Sequence, residues 1–309
     1  MNRAALAIGV GVAAVAAATI GLVLTQPKPL KAERLEAIAA LEGNAEAGET
    51  LFWAGGCASC HAAPGAKDEA RLVLSGGVRL TSDFGTFIGP NISPHPQAGI
   101  GSWSVADFAN ALLAGVSPEG GHYYPTFPYG SYTRMSDRDV ADLFAFMGTL
   151  PESDVASLPH EVGFPFNIRR LLGGWKLLFV TDAPRESVDQ TNAQLVRGQY
   201  LVEGPGHCGE CHTPRNLIGG FVVGAWLSGA PNPEGKGIIP NLTPGGKSIK
   251  DWSASDIAYY LESGFTPDFD SVGGSMVEVQ ANMAKLESSD RDAIAAYLKA
   301  LPARPNGWE

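Results

Sequence analysis

The sequence predicts an all-α protein: two tandem helical domains preceded by one apolar N-terminal helix. Three observations predict it. Residues 4–25 carry no charge over 22 positions. The rest of the chain repeats itself. Asn91-Ile92-Ser93-Pro94 answers Asn241-Leu242-Thr243-Pro244 at an offset of 150, Trp103-Ser104 answers Trp252-Ser253 at 149, and Leu150-Pro151 answers Leu301-Pro302 at 151. A near-constant offset over a domain's length marks a duplicated unit. Within each copy, apolar residues recur at helical spacing behind capping sequences, with little alternation of the kind strands need.

In chain order, the apolar run follows Arg3 and ends at Gln26-Pro27. As a helix it is long enough for a hydrocarbon core. It is expected to be an uncleaved signal anchor over residues 1–26; a cleaved signal peptide is the other reading, because Ala14-Val15-Ala16 resembles a small-residue cleavage site. Residues 27–43 read as a short charged helical tether. The first domain is expected over 44–152, a connector over 153–190, the second domain over 191–304 and a tail over 305–309.

Each domain reads as the same helices. The first runs from about 44 to 54 with Asn44 as N-cap, and its counterpart covers about 191 to 203. The middle helix opens on a capping box, Ser104-x-x-Asp107 and again Ser253-x-x-Asp256. Phe108, Leu112 and Leu113 then share a face. The last helix is expected to start at Ser136-x-x-Asp139 and at Ser289-x-x-Asp292, with stripes Val140, Leu143, Phe144, Met147 and Ile294, Tyr297, Leu298, Leu301. Gly-, Pro- and Asn-rich stretches between the first and middle helices read as loops. The connector is too hydrophobic for a free linker, so residues 164–179 are expected to pack across both domains.

The chemistry is concentrated in Cys57-Ala58-Ser59-Cys60-His61 and Cys208-Gly209-Glu210-Cys211-His212. Cys-x-x-Cys-His is the attachment sequence of a c-type haem. Two thiols so spaced add to the two vinyl groups on one porphyrin edge, and the following histidine supplies the proximal nitrogen to iron. A zinc site or a redox dithiol is the competing use of Cys-x-x-Cys. Two copies, each followed at once by His, favour two covalently bound haem c groups, with Cys57, Cys60, Cys208 and Cys211 as thioethers and His61 and His212 as proximal ligands. They consume all four cysteines. Covalent haem attachment points outside the bacterial cytoplasm, hence to an inner-membrane protein with its haem domains in the periplasm. A net charge of −10 argues against nucleic acid as a partner.

The distal ligand decides what such a haem does. Between Gly65 and Val140 the one methionine is Met135, the expected ligand of the first iron; His122, His95 and an open site compete. Met135 directly precedes a helix cap, where the second copy has Leu286. In the second domain Met276, after Gly273-Gly274, is expected over Met283, which lies close to the last helix. Met147 reads as core, His207 lies on the proximal side, and His160 has no partner pattern. Arg169 or Arg170 would either pair with haem propionates or face solvent.

Four stretches resemble a known family: Gly99-Ile100-Gly101-Ser102-Trp103-Ser104, Tyr123-Tyr124-Pro125-Thr126-Phe127-Pro128-Tyr129, Phe164-Pro165-Phe166-Asn167 and Gly204-Pro205-Gly206-His207-Cys208-Gly209-Glu210-Cys211-His212-Thr213-Pro214-Arg215-Asn216. Over residues 44–304 the chain is similar to the membrane-anchored multihaem c-type cytochrome subunits of bacterial periplasmic dehydrogenases. It lacks the third motif of the three-haem forms, and some of those subunits carry Met where this chain has Phe127. The resemblance implies cytochrome c folds and single-electron relay from a dehydrogenase catalytic subunit to quinone or a small soluble cytochrome c. In the two-haem forms that it resembles most, that catalytic subunit is molybdenum-dependent. The rivals are a dihaem enzyme, peroxidase or sulfur-compound oxidase, with one open haem, and the cytochrome subunit of a terminal oxidase.

Overall fold

The computed structural model describes residues 3–233, 235 and 237–309, with the side chains of residues 4–10, 18 and 248 outside that description. Helix α1 (Arg3–Leu24) is followed by α2 (Ala32–Ala39). The described apolar residues of α1, among them Val12, Val15, Ile20 and Leu22, are exposed. Among the described residues no helix is long and apolar enough to cross a membrane. The end of α1 is clamped to the body. His122 Nε2 lies 3.0 Å from the Thr25 carbonyl, Arg170 bonds both Thr25 Oγ1 and the Leu22 carbonyl, and Gly173 is pressed so close that a Cβ there would overlap the Thr25 backbone.

The segment expected as a tether is packed down. Ile38 of α2 is fully buried, Leu30 N donates to Asn110 Oδ1 at 2.8 Å, and Arg34 pairs with Asp137. Helix α3 (Ala45–Ala54) starts as the sequence implies, because Asn44 Oδ1 accepts from the N–H groups of Glu46 and Ala47. The first haem motif is itself a helix, α4 (Cys57–His61). The loop beyond it folds into a hairpin, β1 (Arg79–Ser82) and β2 (Gly85–Ile88), in register Arg79↔Ile88. Helix α5 (Val105–Ala109) has the expected capping box and runs into a π turn, Asn110–Ala114. A one-turn helix, α6 (Tyr129–Tyr132), leads to α7 (Asp137–Met147), capped by Ser136.

The connector contains α8 (Leu171–Phe179) and ties the two halves together. Lys176 Nζ donates to the carbonyls of Ala114 and Gly115 in the first half, while Trp175 Nε1 donates to Ile218 in the second. Arg169 stacks over Tyr124 and donates to the His122 carbonyl. With Arg170 holding the end of α1, both arginines serve the fold.

In the second half, α9 (Ala193–Glu203) is capped by Asn192, and α10 (Gly209–His212) carries the second motif. A short hairpin, β3 (Ala230–Pro231) with β4 (Ile238–Ile239), precedes α11 (Lys247–Asp251) and α12 (Ala254–Ser263), the latter with its capping box. Helices α13 (Met276–Met283) and α14 (Ser288–Ala300) complete it. The last helix starts earlier than its Ser289-x-x-Asp292 suggests: Glu287 is the N-cap. Glu287 stands where Ser136 stands in the first half, and Asp290 is held in a bidentate pair by Arg197 rather than in a capping box. The first and last helices of each half cross at a glycine. A Cβ on Gly48 would overlap the Asp142 carbonyl, and one on Gly198 the Ala293 carbonyl.

Burial sets the alkaline behaviour. Desolvation lowers Lys176 to about 8, so its ammonium opposes folding until pH rises through that value. This group alone makes the folded state more stable between about pH 8 and its unfolded value of 10.5. Burial raises Tyr123 to about 12 and pushes Tyr129, Tyr132, Tyr200 and Tyr297 up as well. Their neutral forms stabilise the fold below the ordinary tyrosine value, and that contribution is lost above it as the unfolded chain ionises. Denaturant midpoints should therefore fall above about pH 10, and Lys176→Met should flatten the rise below it.

Candidate haem sites

Both motifs are built the same way. A left-handed residue turns the chain into each motif: Gly56, φ 59°, before Cys57, and His207, φ 37°, before Cys208. One helical turn then sets the two thiols and the histidine on a common side. His61 Nδ1 lies 2.9 Å from the Pro90 carbonyl and His212 Nδ1 2.7 Å from the Pro240 carbonyl. A carbonyl only accepts, so Nδ1 holds the proton and Nε2 keeps its lone pair for a metal. Burial lowers the pKa of both imidazoles, which keeps them neutral and ligating.

The loop carrying Pro90 or Pro240 is pinned beneath its motif. Gly76 N donates to the His61 carbonyl at 2.7 Å, and Gly229 N to that of His212 at 2.8 Å. Asn91 Oδ1 accepts from Ser93 N, and Asn241 Oδ1 from Thr243 N. Gly89 passes so close that a Cβ would overlap the Cys60 carbonyl. Burial pushes Cys57 and Cys208 up to about 12 and Cys60 upward too. A redox dithiol works with lowered values. Paired thiols within one helical turn of a neutral, oriented imidazole fit covalent haem: Cys57, Cys60 and His61 would hold one, Cys208, Cys211 and His212 the other.

The distal side differs between the halves. Met276 opens α13, half-buried against the core, after Gly274 with φ 59°. The halves are in step here: Tyr123 N donates to Gly115 O and Val272 N to Gly264 O, while Ser117 N donates to Gly121 O and Thr266 N to Asp270 O. The same spacing sets Phe127 at the place of Met276. Two residues are then added in the second half, so Met135 stands at the place of Leu286. Met135 N bonds the Tyr132 carbonyl as Leu286 N bonds that of Met283, and both side chains are buried. Met147 and Met283 are core as well.

The remaining histidines have structural partners. His122 holds Thr25, and His95 Nδ1 accepts from Gln97 N and Ala98 N. His160 Nδ1 accepts from Ile88 N, and His207 Nε2 donates to the Gly55 carbonyl. Pro90 and Pro240 were not singled out from sequence, although a proline precedes the repeated asparagine in both copies. Ser131, Tyr132 and Asn282, which touch the motifs, carried no sequence signal, because their partners lie in the other half or far along the chain.

Residues 45–151 match the family Cytochrome c. The chain is similar to a dihaem cytochrome c-type protein of Cereibacter sphaeroides, 58% identical over 302 residues, which cover 97% of this chain and 99% of that one. It is also similar to a nicotinate dehydrogenase subunit of Pseudomonas putida, 38% identical over 84% of this chain and 21% of that protein. A third relative is the cytochrome c subunit of the quinone-type alcohol dehydrogenase of Gluconobacter oxydans, 35% identical over 84% of this chain and 55% of that subunit. The chain thus spans about a fifth of the one and about half of the other. Duplicated motifs, oriented histidines and 58% identity over nearly the whole length of a dihaem protein together mean that this chain belongs to the dihaem c-type cytochromes, with two covalent haems and a mostly helical cytochrome c fold.

Proposed function

We propose that the protein relays single electrons from a periplasmic dehydrogenase catalytic subunit to the respiratory chain, with quinone or a small soluble cytochrome c as acceptor. Residues 44–152 and 191–304 each form one haem domain. The residues do no substrate chemistry. His61 and His212 would bind iron through Nε2, the Pro90 and Pro240 carbonyls hold their rings, and the four cysteines would fix the two haems through thioether bonds. Met276 ligates the second iron. Met135, just before α7, would be the sulfur available to the first. The haems supply a one-electron carrier when bound. Helix α1 anchors the protein in the inner membrane, supported by its exposed apolar surface and its clamped end.

The observation that carries this reading is the equivalence of the two proximal sides: each holds its histidine in the same way, where an enzyme with one open haem needs its two sites to differ. An enzyme with one open haem draws support from Phe127 at the place of Met276. One titration separates the two. Full-length protein should show two pyridine-haemochrome equivalents per chain, take up two electrons in single steps and consume no hydrogen peroxide in the presence of reductant. Peroxide turnover at the first haem would establish the enzyme instead.

A further inference from the structure

Each motif helix is gripped by the opposite half, and the two grips are equivalent. Ser59 and Glu210 occupy the same place, the second residue between the cysteines. Asn282 Nδ2 donates to Ser59 Oγ at 2.9 Å, and Ser131 Oγ donates to Glu210 Oε1 at 2.9 Å. Asn282 and Ser131 are themselves counterparts: their carbonyls accept from Lys285 N and Arg134 N just before the last helices begin. Both are 1% exposed. Arg71 bonds Asn282 Oδ1 and pairs with Glu278 at 3.4 Å, while Arg215 pairs with Glu210. Each grip is thus backed by an arginine from the half that carries its motif.

Between the grips lies a third contact. His207 Nε2 reaches the Gly55 carbonyl at 3.2 Å, and Tyr132 Oη donates to that same carbonyl at 3.1 Å. The His207 and Tyr132 rings meet edge to face with centroids 5.7 Å apart. His207 holds a left-handed conformation that its counterpart Gly56 adopts freely. A histidine there carries strain that glycine would not, and persists because its contacts with Gly55 and Tyr132 hold it.

The cysteines would fix which edge of each porphyrin lies at its motif helix, and the stretches leading into the two motif helices meet at this junction through His207 and Gly55. We propose that this junction sets the electron path between the two haems: Ser59–Asn282, Glu210–Ser131 and His207–Gly55 fix the two motifs relative to one another, and would so fix the haems they carry. One electron crosses per step. The donor iron passes from ferrous to ferric and the acceptor from ferric to ferrous, with no proton or bond transferred. These are positioning residues, and the proposal rests on the relay function.

The test uses full-length holoprotein and a pulse of one-electron reductant, following the haem-to-haem step by absorbance. Ser131→Ala with Asn282→Ala, and separately His207→Gly, which suits the left-handed backbone, should slow that step roughly tenfold or more, as misplacement does to positioned reactants. Each haem's potential and spectrum should match wild type. Tyr200→Phe is the control: Tyr200 bonds Asp139 across the same interface away from the motifs, and the rate should hold. Unchanged rates in the junction variants, or an equal fall with Tyr200→Phe, would overturn the junction as the path. No concentration-independent step in the wild type would instead remove the relay reading, and the junction with it.

Discussion

Met276→Ala should turn one of the two haems high-spin and leave the other untouched. The thioether of Met276 is offered by the first residue of α13 after a left-handed glycine, and it is half-buried against the core. A soft sulfur favours ferrous iron, so its loss lowers the potential of that haem. Each tenfold of lost preference is worth about 59 mV for a single electron; a preference of two to three orders would appear as a fall of roughly 120–180 mV by the same conversion. The far-red thioether-to-iron charge-transfer band should lose the second haem's share, and cyanide should bind quickly to one iron per chain. An unaltered band would remove Met276 from the iron. Met135→Ala reports on the first haem in the same assay, but there a buried side chain is also lost, at a cost of about 2–5 kcal/mol. Met135→Leu keeps the packing seen at Leu286 and isolates the sulfur.

The second large effect is expected at Glu203. Its carboxylate is 1% exposed and accepts from Arg185 N at 2.7 Å, Glu186 N at 3.3 Å, Gln199 Nε2 at 3.1 Å and Tyr297 Oη at 2.6 Å. Arg134 of the first half lies 3.8 Å away and is itself largely buried. Connector, first half and last helix all converge on this one group. Glu203→Leu strands several buried donors and a buried guanidinium, and breaking such a pair costs about 3–5 kcal/mol. The denaturant midpoint of the holoprotein should fall accordingly with little change in slope. Glu203→Gln should recover part of the loss by accepting some of the same bonds. A midpoint within error of wild type for Glu203→Leu would refute the central role given to this carboxylate.

Short-range features were readable from sequence because their causes are short-range. Asn44, Ser104, Ser136 and Ser253 cap the helices they precede, since a cap bonds N–H groups two or three residues on. The motifs declared themselves for the same reason. Glu287 misled because Ser289 is the better cap by composition, while the register with Ser136 and the pairing of Asp290 with Arg197 decide the start. Arg169 and Arg170, weighed as propionate partners or solvated charges, hold His122, Thr25 and Leu22, all remote in sequence. The exchange of Ser131 and Asn282 between halves was invisible for the same cause. Pro90 and Pro240 are marked by the sequence too, each one residue before a repeated asparagine.

A carrier on a slack leash can swing between a donor and an acceptor. Here the stretch after α1 is stitched to the flank of the first half by Ile38, Leu30 and Arg34, and the joint itself is gripped by His122 and Arg170. On the anchoring proposed for α1, such a body keeps one attitude toward the membrane, and the faces open to its proposed redox partners are decided at that joint.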